Sequence, residues 1–165
     1  MIILDLETTG LNHSTDRITE IALIELDENG RQEEWSSLVN PGVEISSMIT
    51  DLTGITNAMV ETAPTFALIA DSLYTRLTGK QLVAHNAAFD YGFLQAEFER
   101  VGLKFETNTM CTVKLSKALF PQYRTHSLDA LIERHALPAD ERHRALADAR
   151  VVFHFLRAVE VISAD

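Results

Sequence analysis

The sequence predicts an α/β fold: a mixed five-stranded sheet, three antiparallel strands followed by two parallel ones, flanked by helices. Three observations carry this reading. The first forty residues hold short apolar runs separated by turn residues, without helical spacing. From Thr65 onward, helical periodicity alternates with short apolar strands, the order that yields a sheet with helices packed on it. One run, Arg17–Asp27 (RITEIALIELD), is apolar on both faces, as an interior strand covered on both sides must be.

In order along the chain, Met1–Glu7 reads as a short apolar strand and Arg17–Asp27 as the second. Asn29-Gly30 is a tight-hairpin signal that returns the chain as a third strand, Gln32–Val39. After Pro41-Gly42 comes an irregular stretch with a short helix near Ser47–Leu52 and a turn at Thr53-Gly54. Thr65–Thr78 has helical spacing through Phe66, Ile69, Leu73 and Leu77, and Gly79 stops it. Gln81–His85 is the fourth strand, and Asn86 stands where it can cap the helix Ala87–Val101, closed by Gly102. A fifth strand near Thr107–Cys111 leads into a helix, Val113–Leu119, that Pro121 terminates. Ser127–His135 is a further helix ahead of Pro138. The last helix, Arg144–Val159, repeats apolar residues at Ala145, Ala149, Val152, Phe153, Leu156 and Val159.

The 165 residues fit a single domain, 1–165, and 46% hydrophobic content is ample for one core. No run approaches the length of a membrane span, so no membrane partner is expected. The opening MIILDLETTG has neither a basic leader nor a small-residue cleavage site, and Cys111 is the single cysteine; both fit a reducing cytoplasm. The bland role for Cys111 is a small buried side chain. Lys plus Arg number 14 against 24 Asp plus Glu, a net charge of −10. Residues 1–109 carry 6 basic and 17 acidic side chains, whereas 110–165 carry 8 and 7. That balance speaks against broad coating of a nucleic-acid backbone and allows local capture of a strand end.

The acids are the informative residues. Asp5 and Glu7 stand two apart on a strand, so both leave the same face. Paired there, they repel unless a cation sits between them; the alternative is an exposed sheet edge. Thr8-Thr9-Gly10-Leu11 follows as a tight turn able to approach a ligand. Asp90, in HNAAFD, lies one turn into a helix that starts directly after a strand, facing the crevice where α/β sheets place ligands; a lone acid there can also just complement the helix dipole. Asp148 sits beside the apolar stripe of the last helix, and Arg144, one turn earlier, is the expected partner if it forms a structural ion pair. His143 precedes Asp148 by five residues, which on a continuous helix would point the two apart by about 140°. They converge only if His143 lies in a loop that folds back. An idle surface position is the other possibility, and it is the one assigned to His13, His126, His135 and His154, along with ordinary packing. An all-oxygen cluster of this kind suits two Mg²⁺ (or Mn²⁺) ions, which can clamp the attacking and leaving oxygens of a phosphodiester. A nearby imidazole can take the attacking water's proton.

DLETTG, HNAAFD and HRALADA match, in order and spacing, the three motifs of the DnaQ-like DEDDh 3′→5′ exonuclease family, and the LTGIT and HSLDAL segments between them resemble it too. The resemblance implies a ribonuclease H-like fold, with Asp5, Glu7, Asp90 and Asp148 holding two divalent ions and His143 as the general base. The sister subclass places a Tyr four residues before the last Asp, where this chain has Arg144. By the same likeness Thr8, Gly10 and Leu11 hold and wedge the terminal nucleotide, and His85, Asn86 and Phe89 form the opposite wall, Phe89 being equally readable as core. WSSLVNP, CTVKLSKALFP and RHRALADA look like exonuclease domains joined to a UvrC-like GIY-YIG nuclease. The expected substrate is the 3′ end of single-stranded or frayed DNA, released as 5′-mononucleotides, with RNA as the alternative and an inactive binding module on the same fold as the competing class. A polymerase or a fused nuclease domain is the expected partner, although the chain has no room after its last helix for a polymerase-binding tail.

Overall fold

The computed structural model describes residues 1–163. Five strands, β1 (Ile2–Thr8), β2 (Ile18–Leu26), β3 (Gln32–Leu38), β4 (Leu82–Ala84) and β5 (Thr109–Cys111), form one sheet in the order β3-β2-β1-β4-β5. β1–β2 and β2–β3 pair antiparallel; β1–β4 and β4–β5 pair parallel. This is the predicted mixed sheet, with β1 at its centre.

Alternation along β1 builds the two layers. Ile2, Leu4 and Leu6 face a core with Leu23, Phe66, Leu73, Phe93, Leu94 and Phe98, contributed largely by α3 (Phe66–Leu77) and α4 (Ala87–Arg100). Ile3 faces the other side with Ala22, Ile24 and Val83, covered by α6 (Leu128–His135) and α7 (Ala145–Ala158) through Leu131, Val152, Phe155 and Leu156. Each of the fully buried Ile, Leu, Val and Phe side chains contributes about 1.5–3 kcal/mol. β2 is buried along Ile18–Ile24, as its two-sided apolar character requires.

The remaining helices are α1 (Ser47–Thr53), α2 (Asn57–Glu61) and α5 (Thr112–Leu119). Three local details differ from the sequence reading. The β2–β3 turn is not a two-residue Asn-Gly turn: the N–H of Asp27 donates to Arg31 O, and the Asp27 carboxylate accepts from the N–H groups of Asn29 and Arg31. Gly30 takes φ 77°, so an Asx turn on Asp27 sets the geometry. α2 was not legible, because five residues hold no periodicity; Thr56 caps it by accepting from the N–H of Met59. Asn86 occupies the N-cap position of α4 in a left-handed conformation, φ 68°, and makes no capping bond. Asparagine tolerates that conformation, which leaves its side chain out of the helix.

Candidate active site

Because side chains alternate, Asp5 and Glu7 lie on the Ile3 side of β1, toward α7. A bulge falls just beyond them: Glu7 pairs with Glu20, but Thr8 pairs with Ile18. Such bulges bend a strand and re-aim side chains. α7 brings Asp148 over this face in its first turn. One carboxylate oxygen each from Asp5, Glu7 and Asp148 lie within 4.8 Å of one another. Asp90 stands outside that triad yet close to it. It is 4% exposed in the first turn of α4, and its charge acts on Asp5. The two helices therefore reach the carboxyl end of β1 from opposite faces of the sheet.

The electrostatics of the cluster are unfavourable without a cation. Burial pushes the Asp5 carboxyl well above the usual carboxylate range, and the charges of Asp90, Glu7 and Asp148 push the same way. Burial, followed by the charges of Asp148, Glu20 and Asp90, raises Glu7 to about 8. Asp90 is also raised, by burial. Asp5 Oδ2 is buried with no hydrogen-bond partner among the described residues. An orphaned oxygen inside a set of mutually repelling carboxylates is what a hard divalent ion would satisfy, so the donor set fits Mg²⁺ or Mn²⁺. Arg142 supplies positive charge at the rim. Its guanidinium bonds Asp148 Oδ1 and, through Nε, Asp129 Oδ1 at 2.7 Å, and it opposes the shifts of both Asp5 and Glu7.

His143 lies outside α7, in the preceding loop, with φ 64°. Its backbone N–H donates to Asp148 Oδ1 at 3.2 Å, so the loop, not the helix, sets His143 against Asp148. Arg144 is not the partner of Asp148. It binds Glu20 instead, and Arg142 takes the expected role.

The turn after β1 is organised by Asp16. Its carboxylate accepts from Thr9 Oγ1 at 3.1 Å and from the N–H of Asn12 at 3.0 Å, while Thr8 Oγ1 donates to Gly10 O at 2.6 Å. A Cβ on Gly10 would stand 2.4 Å from Asp16 Oδ2, so a larger residue here would displace the carboxylate that holds Thr9 and Asn12. Leu11, an apolar side chain, projects from the turn 87% exposed. Buried Glu97 ties the turn to α4: it accepts from Arg17 Nε and from Arg100 at 2.7 Å each, and Arg100 in turn donates to His13 O at 2.9 Å.

Across the strand ends, Asn86 is exposed and Phe89 half-buried, its ring 4.8 Å from that of Phe93. His85 is occupied at both ring nitrogens, Nδ1 by Thr112 Oγ1 and Nε2 by His126 O, each at 2.8 Å. Burial lowers its pKa, consistent with a neutral ring that donates from Nε2. His126 is a packed residue, bonded to Ser116 Oγ and Tyr123 O. Sequence reasoning missed Glu20 and Glu97, which act across 124 and 80 residues, and Asp16 and Arg142, which act within or beside their own loops. The one available signal was Glu20, an acid inside an otherwise apolar interior strand.

Fold and site together define a ribonuclease H-like α/β protein with a cluster of acids at the end of its middle strand. A family model described as "Exonuclease" matches residues 2–156, and the chain belongs to that family, within its DnaQ-like branch. It is 37% identical over 163 residues to a PolC-type DNA polymerase III of Thermotoga petrophila, a match covering 98% of this chain and 12% of that one. It is 36% identical over 152 residues to the 3′-5′ exonuclease DinG of Bacillus subtilis, covering 91% of this chain and 16% of that protein. The chain thus spans a small part of these relatives. Among solved structures, Exonuclease X in complex with 5′ overhanging duplex DNA superposes with a TM-score of 0.78 at 29% identity, covering 99% of this chain and 93% of the other. Exonuclease I superposes at 0.85 with 18% identity over 98% of this chain and 41% of its own, a likeness of fold. Among the described residues no helix is long and apolar enough to cross a membrane.

Proposed function

We propose that this chain is one DEDDh 3′→5′ exonuclease domain, acting in the cytoplasm on the 3′ end of single-stranded or frayed DNA and releasing 5′-mononucleotides. The observation that carries the reading is the approach of Asp5, Glu7 and Asp148 within 4.8 Å around an unpartnered buried Asp5 oxygen, in a chain of the exonuclease family. Asp5, Glu7, Asp90 and Asp148 would hold two divalent ions. When bound, Mg²⁺ or Mn²⁺ supplies Lewis acidity toward the phosphodiester and makes water a stronger acid. His143, held against Asp148 by its own backbone, takes the proton of the attacking water. Thr8, Gly10 and exposed Leu11 hold and wedge the terminal nucleotide. Asn86 and the ring of Phe89 form the facing wall, and His85 stiffens that wall through its two internal hydrogen bonds.

The net charge of −10 favours recognition of a strand end over coating of a duplex. DNA is favoured over RNA by the names of the relatives, a DNA polymerase and a structure bound to duplex DNA. The same relatives make a polymerase, or another nuclease domain joined to this one, the fitting partner. The test is Mg²⁺-dependent release of mononucleotides from matched DNA and RNA oligonucleotides. Faster release from DNA is expected. Faster release from RNA would replace DNA with RNA as the substrate, equal release would remove the preference for DNA, and binding without cleavage would leave a binding module.

A further inference from the structure

We infer that Glu20 and Arg144 are positioning residues for the proposed reaction, together fixing the start of α7, and through it His143 and Asp148, against the strand that carries Asp5 and Glu7. The inference rests on the exonuclease reading above.

Glu20 stands directly opposite Glu7 in the β1–β2 register, so two acids of like charge share one face. Like charges opposed across an antiparallel pair are destabilising, and Glu20 is only 6% exposed. An uncompensated carboxylate there would be costly. Compensation comes from 124 residues away. Arg144 donates from Nη2 to Oε2 at 2.7 Å and from Nε to Oε1 at 3.0 Å. The N–H of Ala145 donates to Oε1 at 2.8 Å.

That last bond gives the pair its role. The first N–H groups of a helix lack internal partners, and a side chain at the N-cap usually serves them. In α7 the N-cap residue is Arg144, whose side chain cannot accept a hydrogen bond and provides no cap. Glu20 therefore caps α7 from a neighbouring strand. On one side of this anchor lies His143, strained at φ 64°; on the other, the N–H of Asp148 makes the first-turn bond to Arg144 O at 3.0 Å. Both groups assigned to the chemistry thus hang from one junction, and the junction is pinned to the strand partnering β1. The Glu20 carboxylate lies outside the Asp5, Glu7 and Asp148 triad, and both of its oxygens are engaged by Arg144 and the N–H of Ala145.

The experiment compares wild type, Asp5→Ala, Glu20→Gln, Glu20→Ala, Arg144→Lys and Arg144→Ala. It measures kcat and KM on a single-stranded DNA oligonucleotide, Mn²⁺ affinity of the metal-free protein by calorimetry, and melting temperature. Lack of Mg²⁺-dependent cleavage by wild type would sink the exonuclease reading, and this inference with it. With an active wild type, Glu20→Gln and both Arg144 variants should lose about 10- to 100-fold in kcat, with weaker Mn²⁺ binding and little change in KM. Arg144→Lys, which keeps the charge but not the fork, should lose less than Arg144→Ala. A merely stabilising ion pair would lower the melting temperature and leave kcat and Mn²⁺ affinity of the folded variants at wild-type values, overturning the inference. Glu20→Gln keeps the shape of the side chain and carries the test if the alanine variants do not fold. Failure of Glu20→Gln itself to fold would assign the pair to the fold and overturn the inference equally.

Discussion

The backbone N–H of His143 donates to Asp148 Oδ1, closing a five-residue loop at 3.2 Å at the entrance to α7. A left-handed φ of 64° at a non-glycine residue is costly and is retained only where the surroundings enforce it. In the proposed reaction the loop exists to present an imidazole to the attacking water. His143→Ala should therefore lower kcat by about 10²- to 10⁴-fold, the usual contribution of a general base, while Mn²⁺ affinity stays near wild type. Single-turnover kinetics check this. A variant with wild-type chemistry would remove His143 from the mechanism.

The acids should behave differently. Asp5→Ala, Glu7→Ala, Asp90→Ala and Asp148→Ala should each nearly abolish cleavage, because each deletes a proposed ligand. In chelator the first two should be no less stable than wild type, since they relieve repulsion and, at Asp5, remove an orphaned buried oxygen. Thermal melts in EDTA beside activity at saturating Mg²⁺ separate the two effects. Retention of most activity by any two of the four would refute the ligand assignment.

Stability of the metal-free protein should fall as pH rises. Glu7 is raised to about 8 from an ordinary 4.5, and Asp5 and Asp90 are raised with it. Between those limits the folded protein holds protons that the unfolded chain has released, so their contribution is complete below the unfolded value and lost as pH climbs through the folded one. Melting temperature in EDTA should decline from about pH 5.5 to about pH 8.5. Because bound ions need ionised carboxylates, Mn²⁺ addition near neutral pH should release protons into a weakly buffered solution. A melting temperature flat or rising across that range would contradict the electrostatics.

Gly10→Ala tests the turn without touching an acid of the cluster. The added Cβ would meet Asp16 Oδ2 at 2.4 Å and Cγ at 2.6 Å, and Asp16 cannot move without releasing Thr9 and Asn12. Overpacking of this kind costs about 1–3 kcal/mol. With Leu11 displaced, KM for a single strand should rise more than kcat falls. Unchanged melting temperature and KM would show that the turn neither constrains nor holds substrate.

Strands and long helices were legible because burial writes period into sequence. The two-sided run in β2 and the stripe of α7 both stand as read. The five proposed catalytic residues were visible only through motifs and the family they resemble. Taken singly, an acid on a strand or a helix has a bland explanation. The supporting contacts were not visible at all. Arg144 was the natural partner for Asp148 by helical spacing, yet it is bound to Glu20 on β2, and Arg142 reaches Asp148 from the loop instead. Sequence spacing carries the contacts of one element with itself, whereas ion pairs across more than a hundred residues depend on how elements dock.

The most direct test of the account uses a 5′-labelled linear DNA strand and a circular strand of the same sequence, incubated with Mg²⁺ or with EDTA, with Asp5→Ala alongside. The linear strand should shorten one nucleotide at a time from its 3′ end, in Mg²⁺ only and not with Asp5→Ala, while the circle survives. Cutting of the circle, or shortening that persists in EDTA, would contradict a metal-dependent 3′→5′ exonuclease built on Asp5, Glu7, Asp90 and Asp148.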